Sequence, residues 1–195
     1  IMEKKTLVPI VGIHSSGKST ILDILNKKGF ITQGECAEEI RVTKNVKAGA
    51  LADSSFEELV KKEELKRDKI RNWKDEKVIF VESWHVLTLS YMLTRGKNID
   101  EIADYINYVK KKQEELNIIY FYLISDPHKI LERSRKLHTE EDIGKYYSFY
   151  ERLNQNIEYV LKKLEANYYE FDTRKNIEET KKEIDDCILK LGLNK

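Results

Sequence analysis

The sequence predicts one α/β domain, a parallel sheet with helices packed on both faces. Three observations lead there. Short apolar runs that read as strands alternate with helix-spaced segments from one end of the chain to the other. A glycine-rich loop falls between the first such strand and the first such helix. The chain has 195 residues, 41% of them hydrophobic, which is material for one packed core.

Thr6 to Val11 reads as a buried strand, although Pro9 within it cannot donate to a ladder. Ser19 to Lys28 carries Ile21, Leu22, Ile24 and Leu25 at helical spacing, with Gly29 as a stop. Phe30 to Gln33 fits a second short strand, and Glu35 to Val46 a helix with Ala37, Ile40 and Val46 on its apolar side. Asp53, Ser54 and Ser55 offer caps for a helix from Phe56 to about Trp73. Its apolar stripe is thin (Leu59, Val60, Leu65, Ile70), and the charges between predict a solvated face.

Lys77 to Glu82 is an unbroken apolar run ending in a carboxylate, the pattern of a strand buried on both faces. Val86 to Leu93 reads as a helix ending near Gly96. Asn98 or Asp100 caps the next, which places Ile99, Ile102, Ile106 and Val109 on one side. Ile118 to Ile124 is a further strand, and Asp126-Pro127 opens a helix reaching Leu137. Thr139 begins a longer helix to about Glu165. Tyr168 to Phe171 is the last strand and Ile177 to Leu191 the last helix. No linker, repeat or low-complexity tract divides the chain, so residues 1–195 are expected to form a single domain.

Composition removes several classes of function. Lys+Arg 35 against Asp+Glu 34 leaves a net charge of +1, unlike the strong basic excess of a nucleic-acid-coating protein. No 18-residue apolar run marks a membrane span, and the first residues lack the apolar core of a secretory leader. Cys36 and Cys187 are too few for a disulfide framework. A cytoplasmic location with reduced, buried or half-buried thiols is the expectation.

The strongest chemical signal is Gly12-Ile13-His14-Ser15-Ser16-Gly17-Lys18-Ser19, which fits G-x-x-x-x-G-K-[ST] with a strand before and a helix after. The glycines let the backbone curl and aim its amides at phosphate oxygens. The helix adds its positive N-terminal end. Lys18 supplies a mobile cation for the β- and γ-phosphates, the Ser19 hydroxyl is placed to ligate Mg²⁺, and Thr20 lies toward the α-phosphate. The candidate ATP-binding set is Gly12, His14, Ser15, Ser16, Gly17, Lys18, Ser19 and Thr20. His14 either faces an acceptor or fills the variable part of the loop.

With Gly12 to Thr20 followed by Glu35-Cys36-Ala37-Glu38-Glu39-Ile40, and with Val81-Glu82-Ser83-Trp84 after the third strand, the chain resembles the nucleoside and nucleotide kinase group. The likeness is to thymidylate and deoxynucleoside kinases, and to the phosphate-loop domain of ribosylnicotinamide kinase. It implies a three-layer P-loop NTPase fold of adenylate-kinase type, with five parallel strands in the order 2-3-1-4-5. It also implies ATP and Mg²⁺ as cofactors, a small-molecule phosphoryl acceptor and, in many relatives, a homodimer.

Glu82 stands where this group has its acidic residue, beside Mg²⁺ and the acceptor hydroxyl. Ser83 replaces the arginine that commonly follows and helps hold the acceptor. Arg41 and Arg95 are the candidates to take its place. Leu131-Glu132-Arg133-Ser134-Arg135-Lys136 resembles the group's basic lid, here spanning about 133–145. Arg133 matches the cation near the adenine, and Arg135 or Lys136 the one that closes on the transferring phosphoryl group. Asp172, in Phe171-Asp172-Thr173, falls by the adenine pocket.

On the acceptor side, Glu35 is placed either to accept a sugar hydroxyl or base NH, or to serve only as a first-turn helix glutamate. Trp84, directly after the Glu82 turn, is the foremost candidate to stack on a base, ahead of Tyr91, Tyr105 and Tyr108. The expected activity is transfer of the γ-phosphoryl group of ATP to a nucleoside or nucleoside monophosphate. Lys18, Glu82 and Arg135 are catalytic in this reading, Ser19 and Glu82 hold the metal, and Glu35, Arg41 and Trp84 hold the acceptor. A regulatory NTPase read by a protein partner is the alternative.

Overall fold

The computed structural model describes residues 4–47, 52–71, 77–134 and 140–193. Strand β1 (Thr6–Val11) leads to helix α1 (Lys18–Lys27), and β2 (Ile31–Gln33) to α2 (Cys36–Lys44) and α3 (Ser54–Ile70). Then come β3 (Val78–Glu82), α4 (His85–Thr94), a short 3₁₀ turn at Asp100–Ile102, and α5 (Ala103–Glu115). Strand β4 (Asn117–Ile124), α6 (Pro127–Ser134), α7 (Glu140–Lys163), β5 (Asn167–Asp172) and α8 (Ile177–Lys190) complete the order.

The strands form one parallel sheet in the order β2-β3-β1-β4-β5. This is the expected topology. Parallel strands need covered faces, which is why β1, β3 and β4 read as continuous apolar runs. Alternate side chains go to opposite layers. Leu7, Val11, Ile79, Val81 and Tyr120 pack with α4, α5 and α7, while Val8, Ile10, Phe80 and Phe121 pack with α1 and α8. Pro9 is accommodated in the central strand. It pairs with Val81 of β3, whereas the register with β4 passes from Leu7–Ile118 to Ile10–Phe121 without bridging Val8 or Pro9. A missing N–H interrupts one ladder there and spares the other.

Helix α3 departs from expectation. Ile70, assigned to its apolar stripe, is 67% exposed, and the inward face instead carries Glu57, Glu64 and Arg67 beside Phe56 and Val60. The solvated face exists, at Glu58, Lys62, Lys66 and Lys69, but Glu57, Glu64 and Arg67 among the same run of charges are buried. Arg67 donates to the Gly34 carbonyl and pairs with Glu39, Arg71 donates to Gln33 and Asp68, and Arg95 of the α4 terminus meets Glu57. Charge periodicity cannot separate a solvated face from one whose partners come from other elements.

Glu64 shows the cost of this arrangement. Burial pushes its carboxyl up from an ordinary 4.5 to about 7, against the opposing pull of Arg67 and Arg71. A carboxyl raised on folding stabilises the fold fully below its unfolded value, and that contribution is lost as pH rises through the folded one. Glu64→Gln is therefore expected to stabilise the protein relative to wild type by up to about 3 kcal/mol at pH 8 and much less at pH 5. Urea unfolding at both pH values checks this; a difference independent of pH would refute it.

Both cysteines are free. Cys36 is fully buried between α2 and α3, and burial raises its thiol to about 12, so it behaves as a small core side chain. Among the described residues, no helix is long and apolar enough to cross a membrane.

Candidate active site

The glycine-rich loop leaves the C-terminal end of β1, the central strand, where the chain reverses from one side of the sheet to the other. Open α/β sheets bind ligands at such a crevice. Gly17 caps α1 in the left-handed region at φ 97°. At Gly12 the reason for glycine is space, since a Cβ there would lie 2.7 Å from Ser16 Oγ and 2.8 Å from the Leu123 carbonyl. Ser16 Oγ is buried with no hydrogen-bond partner among the described residues. The loop is thus folded tightly against β4.

Lys18 is buried, and its Nζ donates to the Gly12 and Ile13 carbonyls at 3.1 Å each. Those two carbonyls hold the ammonium within the loop. Ser19 Oγ donates to Glu82 Oε1 at 2.7 Å, bringing the start of α1 and the end of β3 together. Burial raises the Glu82 carboxyl above its ordinary value, and the Ser19 hydrogen bond opposes that shift. Two oxygen donors side by side at the mouth of a phosphate loop suit Mg²⁺, a hard cation that takes few protein ligands and completes its shell with phosphate and water.

A cleft of about 750 Å³ opens here, lined by His14, Lys18, Ser19, Thr20, Glu35, Arg41 and Glu82 among others. Glu35 at the N-terminus of α2 does not cap its own helix. It accepts a hydrogen bond from Ser83 Oγ at 3.0 Å and is among the residues that line the cleft. Arg41 also reaches the cleft, paired with Glu38 through two guanidinium hydrogen bonds. His14 stacks on Tyr150 of α7 at 6.4 Å between centroids, on the cleft wall.

Trp84 requires correction. It is 1% exposed, packs on His85 and Tyr120, and donates Nε1–H to Asp68 Oδ1 at 3.0 Å. It is a core side chain and presents no stacking surface to an acceptor. Tyr105 and Tyr108 are likewise turned inward, to His85 and Asp68. Asp172 is bound at both carboxylate oxygens by Arg174, which holds its carboxyl down at about 2. At the end of β5 it anchors that turn next to the Thr173 contacts with the Ile124 carbonyl. Arg135 and Lys136 lie outside the described residues, as does the side chain of Arg133.

The backbone after Glu82 is unusual. Ser83 and Trp84 both have positive φ, 69° and 92°. Neither is glycine, and for a bulky residue this is a true outlier. Each such residue costs about 1–3 kcal/mol and persists only where its surroundings over-determine it. Asp68, which accepts from Trp84 Nε1 and His85 Nε2, lies in α3 and carried no sequence signal; nor did the Ser83–Glu35 contact, whose partners are 48 residues apart.

Strand order and loop together define the class of phosphate-loop α/β folds. Three solved structures of deoxyadenosine kinase from M. mycoides share it. The form with bound dCTP has a TM-score of 0.66 at 18% identity, covering 94% of this chain and 99% of that one. The form with bound dATP has 0.64 at 18%, covering 93% and 98%. The form with the products dCMP and a flexible dCDP has 0.62 at 16%, covering 94% and 99%. At such identities the likeness establishes the fold. No known family profile matches the chain, and no curated protein matches it by sequence.

Proposed function

We propose that this protein is an ATP- and Mg²⁺-dependent kinase that phosphorylates a hydroxyl group of a nucleoside. The Ser19–Glu82 hydrogen bond carries the reading, because it joins the phosphate loop to a carboxylate facing the acceptor cleft. The deoxyadenosine kinases of the same fold, solved with dATP, dCTP and dCMP, support a nucleoside-type acceptor. Lys18 and the loop amides bind the β- and γ-phosphates. Ser19 and Glu82 would hold Mg²⁺, which when bound neutralises charge on the phosphate oxygens. Glu82 orients the acceptor hydroxyl and takes its proton as the new O–P bond forms and ADP departs. Arg133 and Arg135 are proposed as the cations that close on the nucleotide from the lid.

The charge of the cleft favours an acceptor without a phosphate of its own. Glu35, Glu38, Glu39 and Glu82 line it against Lys18 and Arg41. The neighbouring arginines are engaged: Arg41 with Glu38, Arg67 with Glu39 and Gly34, Arg71 with Asp68 and Gln33, Arg95 with Glu57 and the Ala52 carbonyl. With Ser83 in place of arginine, a monophosphate would meet mostly carboxylate here. A coupled ADP-release assay over nucleosides, nicotinamide riboside and nucleoside monophosphates is expected to give turnover dependent on an unphosphorylated acceptor. ADP release that ignores every acceptor and responds to a protein partner would instead identify a regulatory NTPase.

A further inference from the structure

We propose that Asp68, on α3 and outside the residues that line the cleft, is the positioning residue for Glu82: it clamps the left-handed Ser83–Trp84 turn that aims the carboxylate at Ser19. Both oxygens of this buried carboxylate are used. Oδ1 accepts from Trp84 Nε1 at 3.0 Å and from Arg71 at 2.9 Å. Oδ2 accepts from His85 Nε2 at 2.8 Å and from the Tyr108 hydroxyl at 2.9 Å. Two of the four donors are the residues that directly follow Ser83. His85 is completely buried, so it is held in its neutral form; Nε2–H then faces Asp68 and Nδ1 accepts from the Tyr105 hydroxyl, 2.6 Å away. Burial would raise the Asp68 carboxyl, but the hydrogen bonds from His85 and Trp84 and the charge of Arg71 hold it far below its ordinary range.

The clamp explains how two non-glycine residues keep positive φ. The turn is pinned at three places. Ser83 N–H donates to the Ile10 carbonyl at 2.8 Å, Ser83 Oγ to Glu35, and the Trp84 and His85 rings to Asp68. Were Asp68 lost, the turn would relax toward ordinary φ, rotating the end of β3 and withdrawing Glu82 from Ser19. Asp68 is not among the residues that line the cleft, so its effect on catalysis runs through this geometry.

The kinetic arm of the test rests on the kinase reading; the structural arm does not. Trp84→Phe deletes one donor from the clamp and keeps a buried ring. Tyr108→Phe deletes one donor from the same carboxylate without touching the turn. Trp84→Phe is expected to lower kcat at least tenfold with ATP affinity within twofold of wild type, and Tyr108→Phe to leave kcat within twofold. Equal kinetic losses in the two variants would make Asp68 a general structural group and overturn the proposal. A crystal structure of Trp84→Phe is expected to show Ser83 out of the left-handed region and the Ser19–Glu82 hydrogen bond broken. If both features persist, the proposal fails, whatever reaction the wild-type protein performs.

Discussion

Lys18→Ala is expected to reduce acceptor-dependent turnover by about 10³-fold or more, the scale of losing one preorganised charge at a transferring phosphoryl group. The ammonium already sits inside the loop, held by the Gly12 and Ile13 carbonyls, so little reorganisation precedes its contact with phosphate. The substitution leaves two carbonyls without this donor. The loop lines the cleft at His14, Ser15 and Gly17, so water entering the space left by the side chain can replace the lost bonds, and the thermal midpoint is expected to move by only a few degrees. Turnover and ATP binding measured on the same preparation decide the matter. A variant that keeps most of its activity would show that the loop does not hold the reacting phosphates.

Glu82→Gln is expected to lower kcat by about 10²–10⁴-fold, the range for losing a positioned acid–base group. ATP affinity should change by less than about threefold, because the amide oxygen can still accept from Ser19 while the charge and the proton acceptor are gone. The fold should not suffer. Burial raises the Glu82 carboxyl, so ionisation there opposes folding, and the amide removes that penalty. Single-turnover rates and ATP titrations separate the two effects. Equal losses in rate and affinity would reassign Glu82 to holding the loop in shape.

The two substitutions also separate two ways of reading a residue. Lys18 and Ser19 belong to one continuous motif whose meaning is local: strand, tight turn, helix start. Glu82 is almost as legible, as the carboxylate that ends a buried apolar run. The acceptor side was less so. Glu35 was visible as a residue, but its hydrogen bond from Ser83, 48 residues away in the chain, was not. Trp84 looked like a pocket residue because it follows the Glu82 turn in sequence; its left-handed backbone sends the ring into the core instead.

What the sequence by itself determined is the alternation of strands and helices, the phosphate loop and the strand-end carboxylate. Each rests on contacts between residues near one another in the chain, or on hydrophobic period. Only the tertiary structure decided which face of α3 is buried, where Trp84 points, and that Asp68 gathers Arg71, Trp84, His85 and Tyr108. The physical reason is that a buried polar group is defined by its partners. Those of Asp68 come from α3, the Glu82 turn and α5. The free energy that brings them together belongs to the packed sheet and helices, and no spacing along the chain records it.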